Sequence, residues 1–206
     1  RPLAQLNIIT LHLGNGVSAA AIKGGRCVDT SMGMTPLEGL IMGTRCGNLD
    51  PAVLFYLGRE TGMSMADLDN LLNKESGLKG ICGRSDMRTV TAMAEQGDEQ
   101  AGLALTMFCY RLKKYIGAYS AVLGRVDCIV FTGGIGENSP VVRRLCCEGL
   151  EAAGIVLDEQ ANLEQLDGIN PIHSPVSRVA LLVVATDEER EIASQTLRVI
   201  NGGCKN

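Results

Sequence analysis

The sequence contains no tryptophan, and its aromatic residues are only three Phe and four Tyr. Proteins that hold single-stranded nucleic acid stack bases on aromatic rings, and this chain has few rings to offer. It also lacks a positive excess: 19 Lys and Arg against 23 Asp and Glu give a net charge of −4, and the pI is near 5.3. A surface that grips a polyanion needs clustered Lys and Arg, so nucleic acid is not an expected partner. No apolar run approaches the roughly 18 residues that span a bilayer. The longest, around 129–131 and 179–185, are strand-sized, and no membrane partner is expected. Cys-x-x-Cys pairs and His at metal-ligand spacing are missing, as are a signal peptide, a tag and an initiator Met. A chain that opens on Arg1-Pro2 is expected to be part of something longer.

What is present is ordinary for a globular domain: 206 residues, 46% of them apolar and 20% charged, enough for one substantial core. The eight cysteines are Cys27, Cys46, Cys82, Cys109, Cys128, Cys146, Cys147 and Cys204. Cys128 sits in an apolar strand-like run and Cys109 on an apolar helical face, where a thiol serves as a small buried hydrophobe. A domain of this size needs no disulfide staples, so reduced thiols in a cytoplasmic protein are expected.

Residues 6–31 read as an antiparallel meander of three runs, Leu6–Leu13, Val17–Lys23 and Cys27–Thr30. Gly14-Asn15-Gly16 and Gly24-Gly25 are expected to supply positive φ at the turns. Thr35-Pro36-Leu37-Glu38 has the form of a capping box with proline at the first helical position, predicting a helix that Gly43–Asn48 ends. Further helices are expected from Asp50-Pro51 to Thr61, Ser64 to Asn73, Asp86 to Gln96 and Glu99 to Leu123, with Gly77–Ser85 as a glycine-rich basic loop. The last third alternates: a buried strand Val126–Thr132, a turn Gly133–Gly136, a helix from Ser139-Pro140 to Ala153, a strand Arg178–Ala185, and a final helix. Its expected opening is a Thr186/Glu189 capping box, leaving Glu188 free. This order predicts a mixed sheet with helices on its faces.

Three segments have the chemistry of phosphate handling. In Val130–Ser139 a strand runs through Gly133-Gly134-Ile135-Gly136 into Glu137, Asn138 and a helix start, where backbone N–H groups and a helix dipole suit a phosphate. The segment matches neither the P-loop nor the dinucleotide fingerprint, and a tight strand-to-helix turn accounts for it equally. In His12–Ser18 the glycines allow close backbone approach, and His12 and Asn15 can donate to phosphoryl oxygens, although an Asn-Gly hairpin turn would read the same. In Gly43–Asp50, Arg45 lies between glycines; phosphoryl transfer uses such a guanidinium, and so does many a solvated surface loop. Asp86-Met87-Arg88 either contacts a nucleotide or merely starts a helix. Glu188 has the freedom to reach a Mg²⁺ ion in the manner of nucleotide sites. His173 carries no assigned role.

Taken together, Thr10–Gly16, Asp29–Gly39, Met42–Arg45 and Phe131–Asn138 closely resemble the acetate kinase family, which includes propionate kinases, and the resemblance covers essentially the whole chain. It implies an α/β, actin- and sugar-kinase-like (ribonuclease H-like) domain, and ATP-dependent phosphorylation of a short-chain carboxylate to an acyl phosphate with Mg²⁺. By position it implies that His12 contacts the transferring phosphoryl group and Arg45 stabilises its transition state. It places His12, Leu13, Gly14, Asn15, Gly16, Asp86, Met87, Arg88, Gly134, Ile135, Gly136, Glu137 and Asn138 along ATP, and Glu188 near the metal. Family members are about twice as long and homodimeric, so residues 1–206 correspond to the C-terminal nucleotide-binding domain. The acetate site and a catalytic Asp belong to the other half. Cys46-Gly47-Asn48 stands where the family commonly has Ser-Gly-Asp, and the loop before Asp86 is one residue short, with Arg84 in it. Two readings from other classes compete: a nucleotide-binding module without kinase activity, and a thiol redox protein, which no Cys motif supports.

Overall fold

A computed structural model describes residues 1–164, 168–200 and 202. The meander forms as expected. Strands β1 (Asn7–Leu13), β2 (Val17–Lys23) and β3 (Arg26–Thr30) pair antiparallel, with Leu13 opposite Val17 at the first turn. Helices α1 (Ala52–Thr61), α2 (Met65–Lys74), α3 (Gly77–Cys82), α4 (Met87–Glu95) and α5 (Glu99–Leu123) follow. The rest runs β4 (Cys128–Thr132), α6 (Gly133–Asn138), α7 (Pro140–Cys147), α8 (Glu159–Leu163), β5 (Ile169–Pro171), β6 (Ala180–Val184) and α9 (Glu188–Ile200). The sheet order is β3-β2-β1-β4-β6-β5. β4 runs parallel to β1, β6 parallel to β4, and β5 antiparallel to β6. This is the mixed sheet the sequence implies. Its order places the ends of β1 and β4 side by side, so the connections leaving them, 14–16 and α6, emerge together.

Period-2 burial makes the strands. Ile9, Leu11 and Leu13 are fully buried while Ile8, Thr10 and His12 are half-buried. α5 crosses the sheet with Leu112, Ile116 and Phe108 in the core. Its N-cap Asp98 accepts from Ala101 N–H, and Gly124 stops it. Cys109, Cys128, Cys146 and Cys147 are buried, and no cysteine among the described residues is in a disulfide; Cys204 lies outside them. Burial pushes the Cys128 thiol up to about 11 and Cys147 to about 12, so both stay protonated and unreactive at neutral pH. No helix among the described residues is long and apolar enough to cross a membrane.

Several local expectations fail, most of them to tertiary contacts. No helix follows Thr35-Pro36: residues 31–51 are irregular. The Thr35 hydroxyl accepts from Leu37 N–H, a turn, and Gly39 takes φ +107° where a Cβ would collide with the Ser31 carbonyl. A helix would forfeit the clasp between Gly39 and Asn48, in which Gly39 N–H donates to Asn48 Oδ1 (2.8 Å) and Asn48 N–H to Gly39 O (2.9 Å). Conversely, Gly77–Cys82 is helix α3 and not a loop. Leu78 is fully buried, Leu78 and Lys79 N–H donate to Met42 and Gly43 carbonyls, and Lys79 pairs with Glu75. Gly133–Gly136 is not a simple turn either, but the opening of α6. The helix from Pro140 ends at Cys147, not Ala153, because Gly149 turns the chain at φ +76°. The Thr186/Glu189 capping box is absent. Thr186 spends its N–H and hydroxyl on Glu137 Oε1 (both 3.0 Å), and Asp187 accepts from Arg190 N–H instead.

Candidate active site

The β1–β2 turn is the first wall. Gly14, Asn15 and Gly16 were expected at positive φ, yet none is; only Gly24 and Gly25 of the next turn are. A three-residue connection closed by Gly14 N–H donating to Gly16 O (3.0 Å) needs no left-handed residue. The turn lies beside both candidate side chains: a Cβ on Gly16 would stand 3.7 Å from Arg45 Nη1, and one on Gly14 3.9 Å from His12 Nε2, each an ordinary contact. Asn15 then ties the turn to the irregular segment, its carbonyl accepting from Gly43 N–H (3.1 Å). Gly43 must be glycine, because a Cβ there would collide with Asn15 Oδ1 and come within 3.0 Å of the Ser85 carbonyl.

Arg45 sits two residues beyond that approach. Its Nη1 reaches the Pro36 carbonyl (3.3 Å) and Met42 Sδ (3.7 Å), and no carboxylate among the described residues pairs with it. The segment's tip is sewn to α2 and α3: the Thr44 hydroxyl donates to Asn73 O, Cys46 N–H to Leu72 O, and Ser76 N–H to Thr44 O. An unneutralised guanidinium is thus held beside a glycine turn.

α4 gives the second wall. Asp86 is its N-cap, accepting from Arg88 N–H (2.9 Å) and Arg88 Nε (3.1 Å). Hydrogen bonding to the Arg88 side chain and backbone holds the Asp86 carboxyl down at about 2. Met87 turns into the core at 3% exposure.

The third wall is α6. Glu137 Oε1 accepts from Gly133 N–H (3.0 Å) and from Thr186, pinning α6 to the β6–α9 connection. Asn138 Nδ2 donates to the Gly134 carbonyl. Beneath lies Arg143, 2% exposed, donating to Gly136 O (2.9 Å), Glu137 O (2.8 Å), Asn162 O (2.7 Å) and Asn162 Oδ1 (2.7 Å). Burial lowers its pKa to about 10, which leaves it charged at neutral pH. A short helix of glycines is stable because this cation satisfies its orphan carbonyls.

These walls enclose a cleft of about 860 Å³ lined by Gly14, Asn15, Asp86, Met87, Arg88, Gly134, Ile135 and Asn138, together with Ser85, Thr91, Ala92, Glu95, Ser139, Pro140 and Val141. Of the residues singled out in the sequence, His12, Gly16 and Arg45 lie next to Gly14 and Asn15 rather than on the cleft wall. Leu13 is a core side chain, Gly136 lies buried under the cleft, Glu137 faces Thr186, and Glu188 starts the exposed α9. Sequence reasoning missed Thr91, Ala92 and Glu95, although one-turn spacing from Met87 and Arg88 puts them on the same helix face. It also missed Arg143, whose signal was a cation within the apolar helical pattern of Val142 and Cys146. Asn48 bears on the departure from the family pattern. Its side chain clasps Gly39 and donates to Tyr115 Oη (2.9 Å), away from the cleft.

The mixed sheet brings glycine turns and helix starts from distant parts of the chain together on one cleft. A model of the acetokinase family matches residues 1–194, and the chain belongs to that family. It is 61% identical over its full length to acetate kinase of Syntrophobacter fumaroxidans, covering 51% of that protein. It is 56% identical over 98% of its length to acetate kinase of Streptomyces coelicolor, covering 49%. The chain spans about half the length of the curated relatives it matches. Among solved structures, Porphyromonas gingivalis acetate kinase matches 96% of the chain and 50% of its own (TM-score 0.91, 47% identity). A propionate kinase from Francisella tularensis matches 91% and 48% (TM-score 0.86, 43% identity).

Proposed function

We propose that the chain is the C-terminal, nucleotide-binding half of a kinase that transfers the γ-phosphoryl group of ATP to acetate or another short-chain carboxylate. The observation that carries this is the meeting of three distant segments on one cleft, the glycine-bearing 14–16 and 134–138 and the α4 start 85–88, with Arg45 beside it. In the forward step a carboxylate oxygen bonds to the γ-phosphorus as the bond to the ADP oxygen breaks, and no proton need move. Catalysis is then positioning and charge neutralisation. Gly14 and Asn15 line the phosphates, and the α6 turn and α4 flank the rest of the nucleotide. His12 donates to the transferring group, and Arg45 offers a cation to its three equatorial oxygens.

No three His, Cys, Asp or Glu among the described residues converge as a metal cage. Mg²⁺ is proposed to arrive with the nucleotide, taking most ligands from phosphates and water and one or two from carboxylates. Glu188 is the residue proposed to hold it, two positions after Thr186, which is tied to α6 through Glu137. The ion would supply neutralisation of phosphate charge.

The exposed Leu103, Met107 and Tyr110 share one face of α5 at helical spacing, and that face is where a second copy is proposed to dock. Sedimentation equilibrium of Met107→Glu checks this: a dimer unaffected by the charge contradicts it. Ile192, Leu197, Val199 and Ile200 on α9 are likewise exposed, which supports further protein packing there. The buried reduced thiols suit a cytoplasmic setting.

Hydroxylamine trapping of acyl phosphate tests the reading. The complete two-domain protein forms it from ATP and acetate, and the 206-residue chain alone does not. Arg45→Ala in the complete protein lowers kcat by roughly three orders of magnitude with ATP affinity nearly unchanged. An unchanged kcat removes Arg45 from the mechanism, and product from the chain alone overturns the division of labour.

A further inference from the structure

Among the attachments of the irregular segment that presents Arg45, two lie on either side of the arginine. One is the sewing of its tip to α2 and α3. The other is at its base, where Gly39 and Asn48 close the segment into a loop by two reciprocal hydrogen bonds. Arg111, in the middle of α5, reaches that closure. Its Nη1 donates to the Gly39 carbonyl (3.2 Å) and to the Asn48 carbonyl (3.1 Å), one at each end of the loop. One helical turn along α5, Tyr115 Oη receives the Asn48 side-chain amide (2.9 Å).

Three features set this contact apart from an ordinary surface arginine. No carboxylate among the described residues pairs with Arg111, so its hydrogen bonds to the loop are not shared with an anion. Both bonds leave one nitrogen, Nη1, whose two N–H bonds are fixed in the guanidinium plane, so it holds two carbonyls in a set geometry that a rotating ammonium does less well. And α5 is the most deeply anchored helix of the domain, with Ala104, Phe108, Leu112 and Ile116 at 1% exposure or less. The loop therefore takes its base position from a helix whose inner face is buried in the core. Arg111 also lies close enough to Cys46, the residue after Arg45, for its charge to favour the thiolate there, against burial, which raises that thiol.

We infer that Arg111 is a positioning residue for phosphoryl transfer: by clamping Gly39 and Asn48 to α5, it fixes where Arg45 stands beside the β1–β2 turn. This rests on the kinase reading above. Arg111 touches neither cleft nor substrate and acts only through the loop. A misplacement of about 1 Å at a catalytic group costs on the order of 100-fold in rate, which sets the scale of what the clamp protects.

The test is a double-substitution cycle in the complete two-domain protein, with Arg111→Met, Arg111→Lys, Arg45→Ala and Arg45→Ala/Arg111→Met. Arg111→Met is expected to lower kcat roughly 10- to 100-fold with KM for ATP within about twofold, and Arg111→Lys to recover part of the loss. The double variant is expected to be no slower than Arg45→Ala, because a clamp has nothing left to position. An unchanged kcat in Arg111→Met, or a double loss equal to the product of the single losses, overturns the inference. Amide hydrogen exchange on the 206-residue chain reads the clamp without any turnover. Arg111→Lys, the milder change, should speed exchange at Gly39 and Asn48 N–H and leave the α5 amides unchanged. Equal exchange at Gly39 and Asn48 sinks the clamp whatever the kinetics show. Loss of acyl phosphate formation in the unsubstituted complete protein would instead sink the kinase reading, leaving the exchange result to judge Arg111.

Discussion

Helix α5 and the segment 31–51 are neighbours of similar length built on opposite principles. α5 is written in its own sequence: an Asp98 cap, apolar residues at helical spacing and Gly124 at its end. Segment 31–51 has an equally plain local message, Thr-Pro-Leu-Glu, and does not obey it. What decides its shape lies elsewhere in the chain: Asn15 and Ser85 against Gly43, Arg111 and Tyr115 on the Gly39–Asn48 clasp, and α3 under Met42 and Gly43. Local propensities are worth fractions of a kcal/mol per residue, so several tertiary hydrogen bonds outweigh them. The domain keeps its regular elements for support and, on the proposed reading, leaves the phosphoryl group to a segment shaped by tertiary contacts.

The comparison breaks most visibly on stability. Phe108→Ala, at 1% exposure on α5, should cost about 3–5 kcal/mol, a fall of roughly 6–20 °C in Tm by calorimetry for a chain of this size. A loss under about 1 kcal/mol would mean that α5 is not the support described. Asn48→Ala in the segment is gentler. It removes one bond to Gly39 and one to Tyr115, about 1–2 kcal/mol in all, while amide exchange from Gly39 to Cys46 quickens. If Asn48→Ala destabilises as much as Phe108→Ala, the two regions do not differ in kind.

The smallest effect concerns a start signal that is honoured. Asp86 is both the local cap of α4 and an Arg88 partner, and its carboxyl is held down at about 2. Because its folded pKa is depressed below the usual value near 4, its contribution to stability is present above that value. That contribution is lost as the pH falls toward 2. A carboxyl-detected NMR titration should find the Asp86 midpoint near 2 and, in Arg88→Ala, closer to 4. A midpoint near 4 in the unsubstituted chain would show that the cap and pair are not formed.

Legibility followed the range of the deciding contact. The meander, α4, α5 and the sheet type were readable because period, caps and turn glycines act within a few residues. The glycine turns at 14–16 and 133–136 and the Asp86-Met87-Arg88 start were readable as separate motifs, and the family resemblance joined them. The walls contributed by Thr91, Ala92 and Glu95 follow from helix phase alone and could have been found. Arg111 and the clasp by Asn48 could not, since they work through bonds to residues 9 to 72 positions away. Arg143 left a signal as a cation at an apolar helical position, but its partner Asn162, 19 residues on, did not. The Thr186 box failed for the same reason: Glu137, 49 residues earlier, claims the hydroxyl that would have capped.

The central claim is that segments 14–16, 85–88 and 134–138 form one nucleotide cleft on this chain. Titrating the 206-residue chain with ADP and Mg²⁺, followed by backbone amide NMR, tests it most directly. The account predicts saturable shifts concentrated at Gly14–Gly16, Asp86–Arg88 and Gly134–Asn138, with the β3 edge silent. No saturable shift at millimolar nucleotide, or shifts gathered on another face, would contradict it.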